Sequence, residues 1–151
     1  MSFNNGYIEK TGQQFLPNFL GCFPADVQPP TKKRNFSIIF NLSNHDEKGS
    51  HYVALSSNKE NIIYFDSFGE PLKNAFLLNF VKKYKKNKKF SFNKNKLQDE
   101  QSSFCGIFCL SFLASQEKNV SLKNYVKLFS EKNLKENDAT CLNILKLFIT
   151  Q

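Results

Sequence analysis

Apolar residues in this chain fall in short runs, and the spacing inside those runs predicts strands grouped between residues 36 and 93 and a series of helices after residue 105. Three stretches rich in β-branched and aromatic residues read as strands: 36–42 (F-S-I-I-F-N-L), 51–57 (H-Y-V-A-L-S-S) and 61–66 (N-I-I-Y-F-D). The polar, turn-forming run Asn44 to Ser50 separates the first two, and a further strand is expected near 89–93. A short helix is expected over 11–20. Another is expected over 71–86, opened by Pro71, because proline is tolerated in the first helical turn. Helices then follow at about 105–116, 121–132 and 138–149, with Ser121 and Asp138 as N-caps. Strands grouped together and helices following them predict an α+β fold: a central sheet flanked by helices, with the helix at 105 packed against it. There is no internal repeat. With 151 residues, 40% of them hydrophobic and 17 of them Phe, the chain can bury one good core, so 1–151 is read as a single domain.

Composition narrows the setting. The longest apolar run is well short of the about 18 residues a spanning helix needs. The start M-S-F-N-N-G has no hydrophobic signal region, so a protein that is neither membrane-bound nor secreted is expected. Four cysteines, at 22, 105, 109 and 141, are too sparse for a disulfide scaffold and point to reduced thiols. The net charge of +8 is densest in V-K-K-Y-K-K-N-K-K-F, Val81 to Phe90, a run that would attract polyanions. Against 20 Lys the chain has one Arg, Arg34, and base readout relies chiefly on Arg forks, so nucleic-acid contacts through Lys82, Lys83, Lys85 and Lys86 are expected to be nonspecific. An AT-rich coding sequence would give the same lysines as a merely solvated face.

The stretch Q-D-E-Q-S-S-F-C-G-I-F-C-L-S-F, Gln98 to Phe112, places Cys105 and Gly106 at the entrance of an apolar, helix-length run. Backbone N–H groups of a first helical turn lack intrahelical partners and carry the positive end of the helix dipole. They favour the anionic form of a thiol and can hold an oxyanion forming on a carbonyl it attacks. Cys105 is therefore the candidate nucleophile. The competing reading, a cysteine simply buried in a core helix, is the better one for Cys22, Cys109 and Cys141. A nucleophilic cysteine needs a base, and the base needs an orienting group. Of the two histidines, His51 sits at the mouth of a strand and can be held in one rotamer, whereas His45 lies inside the polar run. Asp66 ends the next strand, and antiparallel pairing would bring it beside His51 to accept the imidazole's other N–H. Cys105 and Cys109 are one helical turn apart and invite a zinc reading. No C-x2-C pair exists, however, and Gly106 suits close approach of a backbone or substrate, so no metal site is expected.

In order and spacing these residues resemble the adenovirus-endoprotease (adenain-type) family of cysteine proteases, as found in adenoviruses and in virophage or polinton-type elements. The family's histidine and aromatic opening a strand appear as G-S-H-Y, its acid as Y-F-D-S-F-G, and its oxyanion glutamine and nucleophile as Q-x6-C-G-x-F-C, with Gln98 seven residues before Cys105. F-L-G-C-F-P, Phe19 to Pro24, looks like the family's short loop between its first helix and first core strand. The resemblance spans Phe19 to roughly Leu113. Three positions depart from the pattern. Tyr52 stands where the family commonly has Trp, and Asp66 where adenovirus members have Glu. Gln101, four residues before the thiol, competes with Gln98, which is preferred because Asp99 to Phe104 can loop its amide back toward Cys105.

The resemblance implies a papain-like or adenain-like architecture with the nucleophile at a helix N-terminus, and a cysteine endopeptidase that cuts viral capsid or core precursor proteins at glycine-flanked sites. It would act in the virion and host-cell interior. Cys105 would attack, His51 move the proton, Asp66 orient His51, and Gln98 with the Cys105 backbone N–H hold the oxyanion. No cofactor is required on this reading, although the family's use of DNA makes DNA a candidate nonspecific activator. The adenovirus enzyme's disulfide-linked activating peptide has no counterpart here, since the equivalent position, 18 residues before the nucleophile, is Asn87. Two alternatives remain: a ubiquitin-like-protein-specific protease, although that group usually carries D-C-G where this chain has F-C-G, and a non-enzymatic, basic DNA-packaging or scaffold protein on the same fold.

Overall fold

The computed structural model describes residues 4–42 and 51–149; the polar run at 44–50, with His45, lies outside them. The element order is α1 (Asn5–Phe15), β1 (Phe19–Pro24), β2 (Phe36–Asn41), β3 (Tyr52–Ser57), β4 (Asn61–Phe65), α2 (Ala75–Lys85), β5 (Lys89–Phe92), α3 (Cys105–Glu117), α4 (Leu122–Val126), a 3-10 turn (Leu134–Glu136) and α5 (Asn137–Ile149). This is the α+β arrangement the grouping of elements predicts, with one five-stranded sheet in the order β1-β2-β3-β4-β5. The three central strands are antiparallel, while β1 runs parallel to β2 and β5 parallel to β4. The carboxyl ends of β1, β2, β4 and β5 and the amino end of β3 therefore share one end of the sheet.

Period-two alternation divides the strands between two cores. Phe36, Ile38 and Phe40 of β2, Val53 and Leu55 of β3, and Ile62 and Tyr64 of β4 face α2, where they meet Leu77, Phe80 and Val81. Ile39, Ala54, Ile63 and Phe65 face the opposite side and meet α1, α3, α4 and α5. Every residue of α3 from Cys105 to Ser115 is buried, as expected of a helix that is apolar on all sides. Phe112 of α3 stacks on Phe65 with ring centroids 4.7 Å apart, and Tyr125 of α4 packs edge-on against both. Gly106 lets α1 lie against the first turn of α3, because a Cβ there would come within 2.3 Å of Ile8 Cδ1. Its close neighbour is thus a side chain of α1.

Several expected boundaries move, each for a local reason. The first helix is α1 at Asn5–Phe15 instead of 11–20, started by the Asn4 side chain, which accepts the Tyr7 N–H at 2.9 Å. F-L-G-C-F-P is not a loop but the edge strand β1. Between Phe19 and Cys22, two residues, Leu20 and Gly21, oppose the single Ile38 of β2, and Gly21 at φ +137° absorbs the bulge. That extra residue masks the alternation that would otherwise mark a strand. α2 begins at Ala75, not near Pro71, because the Asn74 side chain accepts the N–H groups of Phe76 and Leu77. The helix expected over 121–132 is only Leu122–Val126. Ser121 does cap it, but the chain then turns so that buried Asn137 can accept from Ser130 N and donate to Ser130 O. Asp138 is not the N-cap of α5, which begins at Asn137; its carboxylate accepts the Ser102 hydroxyl at 2.7 Å.

Candidate active site

His51 immediately precedes β3 and Asp66 immediately follows β4, so antiparallel pairing brings them to the same end of the sheet. The register Ala54↔Phe65, continued one step, sets Asp66 against Val53, diagonal to His51. His51 Nε2 and Asp66 Oδ1 are 2.8 Å apart, with side chains 26% and 3% exposed. The same Asp66 oxygen accepts the Phe68 N–H at 2.8 Å, and the Phe68 ring lies against the imidazole, centroids 4.9 Å apart. Asp66 to Gly69 closes a turn through Gly69 N–H to Asp66 O at 2.8 Å. Gly69 sits at φ +73°, where a Cβ would also meet the Asn95 backbone at 2.8 Å. Beside this turn, the Asn93 side chain accepts the Asp66 N–H at 3.0 Å and donates to the Asp66 carbonyl at 2.6 Å, extending the β4–β5 ladder by one residue.

Cys105 is the first residue of α3, preceded by Phe104, whose side chain has no atom to cap the helix, and no acid lies in the first turn. The positive end of the helix dipole therefore points at the thiol. His51 is hydrogen-bonded to Cys105 as well as to Asp66. With Nε2 on Asp66, the ring's other nitrogen, Nδ1, is the one left for the sulfur. Tyr52, in the expected aromatic position, is 4% exposed; its hydroxyl donates to the Asn5 side chain and ties β3 to α1.

The imidazole's electrostatics follow from these partners. Burial pulls its pKa down, but the hydrogen bonds and charges of Asp66 and Cys105 outweigh this and raise it from 6.5 to about 9. His51 is therefore an imidazolium at neutral pH. A raised folded-state pKa means that the stability its protonation contributes is complete below about 6.5 and is lost as pH climbs to about 9. Histidine ring resonances followed by NMR titration should show a midpoint near 9 in the native protein, moving to lower pH in Asp66→Asn and in Cys105→Ala. An unchanged midpoint in both variants would show that neither group controls the imidazole.

Of the two glutamines, the chain buries Gln98 and exposes Gln101. Gln98 is 1% exposed. Its Oε1 accepts the hydroxyl of Ser67, the residue after Asp66, at 2.5 Å, and its Nε2 donates to the carbonyl of Ser102, three residues before Cys105, at 3.0 Å. The Leu97 and Gln98 N–H groups both reach Ser67 O, which fastens the loop to the Asp66 turn. His51 thus bridges Asp66 and Cys105, and Gln98 is wired between the acid's turn and the approach to the thiol. Sequence reading did not single out Phe68, Asn93, Ser67, Ser102 or Asn137. Of these, Ser67 and Phe68 carried a signal, as part of Y-F-D-S-F-G.

The remaining cysteines are core residues. Burial pushes Cys109 and Cys141 well above the ordinary thiol range, and burial with the nearby Glu9 charge pushes Cys22 up to about 12. Among the described residues no group of three or more His, Cys, Asp or Glu could hold a metal ion, and no helix is long and apolar enough to cross a membrane. Lys82, Lys83, Lys85 and Lys86 are exposed around the C-terminus of α2. Lys83 and Lys86 line a groove of about 710 Å³ with Lys32, Lys33, Arg34 and Lys88. That groove lies at the amino end of β5, away from the His51–Asp66 end of the sheet.

No protein-family model matches the sequence, and no curated protein matches it. Among solved structures the chain superposes on the pS273R protease of ASFV with a TM-score of 0.68, at 16% identity over 95% of this chain and 67% of that one. The selenomethionine form of the same protease gives 0.55, at 19% identity over 77% and 46%. The SUMO protease Ulp1, with its catalytic cysteine oxidized to a sulfenic acid, aligns at a TM-score of 0.48 and 14% identity over 96% and 78%. The chain thus spans about half to two thirds of the length of the ASFV protease, and what it shares with that protease is the fold.

Proposed function

We propose that this chain is a cysteine endopeptidase that processes viral precursor proteins, built on the adenain-type plan. The observation that carries this reading is His51, held between Asp66 and a cysteine at the N-terminus of a buried helix. Fold likeness to a known protease supports it. In the proposed reaction the Cys105 sulfur attacks the scissile carbonyl carbon while the carbonyl's π electrons move to oxygen. The Cys105 backbone N–H and the Gln98 amide hold that oxyanion. Collapse breaks the C–N bond as His51 Nδ1 gives its proton to the departing amine. Water, deprotonated by Nδ1, then hydrolyses the thioester and returns the proton-sharing pair. Asp66 keeps Nε2–H engaged throughout, which leaves Nδ1 for the chemistry.

Substrates on this reading are capsid or core precursors cut beside glycine, met in the virion or the host-cell interior. Incubating the protein with a panel of glycine-containing precursor peptides and ubiquitin-like-protein conjugates, then mapping new termini, tests it. New termini after glycine in the precursors alone support the assignment. Cleavage confined to the conjugates would move the protein to the ubiquitin-like-specific class, and no cleavage of either would sink the protease reading.

The proposal extends to DNA as a nonspecific activator through Lys82, Lys83, Lys85 and Lys86. Three of these lysines lie in the last turn of α2, where they also complement the helix dipole. Replacing all four by Gln should flatten log affinity against log salt for random duplex DNA by about 0.9 per lost phosphate contact. Unchanged slopes would leave them as a solvated face.

A further inference from the structure

The Ser102 hydroxyl is saturated: it donates to Asp138 Oδ1 at 2.7 Å and accepts from Phe104 N at 3.1 Å and from Gln98 Nε2 at 3.2 Å. A hydroxyl has one proton and two lone pairs, so all its capacity is used. The direction of each bond follows from chemistry. The Asp138 carboxylate only accepts, which commits the Ser102 proton to it and turns the oxygen's lone pairs toward Gln98 and Phe104. The Ser102 carbonyl also only accepts, so the Gln98 amide must present its NH2 on that side, and Ser67 supplies a donor for Oε1 on the other. A flipped amide would set oxygen against oxygen at Ser102. The neighbouring Asn137, wholly buried, donates to Leu97 O at 2.8 Å, so the first turn of α5 grips the 97–104 loop at both ends.

We propose that Asp138 is a positioning residue for the reaction, acting through Ser102 to hold the Gln98 NH2 on the side of the thiol's approach, from which the N–H in the longer contact, 3.2 Å to the Ser102 hydroxyl, turns to the developing oxyanion while the other stays on the Ser102 carbonyl. The inference rests on the reading of Gln98 as oxyanion donor. It assigns to α5, whose apolar face packs against α3, a part in setting the rate. Asp138 touches no reacting atom; its effect is expected only where charge develops on the substrate oxygen.

Two measurements separate this from a structural role. Peptide turnover needs the oxyanion donor. Alkylation of Cys105 by iodoacetamide does not, because sulfur displaces iodide at a saturated carbon and no oxyanion forms. Asp138→Ala should lower kcat about 10-fold with KM unchanged, the scale expected when a reacting group is slightly misplaced. Its Cys105 alkylation rate, read by peptide mass spectrometry, should stay at the wild-type value. Asp138→Asn keeps an oxygen acceptor for Ser102 and should recover most of the turnover. The double variant Gln98→Ala/Asp138→Ala should be no slower than Gln98→Ala alone. Should Asp138→Ala fail to fold, Ser102→Ala breaks the same link from the loop side and should give the same split. Loss of alkylation in step with turnover, an additive double variant, or wild-type turnover in both Asp138→Ala and Ser102→Ala would overturn the proposal. Undiminished turnover in Gln98→Ala would instead remove the oxyanion reading beneath it.

Discussion

Replacing Cys105 by Ala should abolish peptide cleavage, and His51→Ala should do the same, each with a loss on the order of 10⁴-fold or more, because groups that act as a unit fail together. The structure sharpens this contrast. Cys109, one turn along α3, is 0% exposed and its thiol is held protonated by burial, so Cys109→Ala should keep most of the activity and cost only stability, about 1 kcal/mol for a small core deletion. Asp66→Asn should fall between these limits, since an amide can still accept at one atom but no longer favours the imidazolium. The measurement is kcat/KM on a peptide whose cleavage site has been mapped, with the fold of each variant checked by circular dichroism. Full activity in Cys105→Ala would end the protease reading.

Gln98→Ala should lower kcat by roughly 10²- to 10³-fold with little change in KM, because an oxyanion donor matters only once charge has developed on the substrate oxygen. Gln101→Ala should be far milder. Gln101 is exposed at the turn of the loop, whereas Gln98 is buried with both ends of its amide engaged. Steady-state kinetics on the two variants rank them directly. If Gln101 proved the more damaging, the oxyanion assignment would move to it while the roles of Cys105, His51 and Asp66 stood.

His51, Asp66 and Cys105 stood out in the chain because each belongs to a local pattern: a histidine opening an alternating strand, an acid closing the next, a cysteine-glycine pair entering an apolar helix; Gln98 was picked out only through the family resemblance. Strand-strand pairing across a short connection then needs no distant information, and β3 and β4 form where alternation places them. Edge elements were harder. β1 escaped notice because a one-residue bulge breaks its period, and α4 ended early because a buried Asn137, eleven residues beyond Val126, recruits the intervening chain. Neither cause leaves a mark within a local window.

By itself, the sequence determined which residue types meet the requirements of thiol chemistry and in which order the chain presents them, together with the α+β class that alternation and helical spacing dictate. Only the tertiary structure decided how they are held. Parallel pairing of β5 with β4 sets Asn93 against the Asp66 backbone, and the Asp66 turn brings Phe68 onto His51. Packing of α5 on α3 delivers Asn137 and Asp138 to the glutamine loop. The hydrogen bonds among these contacts join residues 27 to 40 positions apart, and bonds of that reach are created by the sheet register and by helix packing, which arise only when the whole core closes at once.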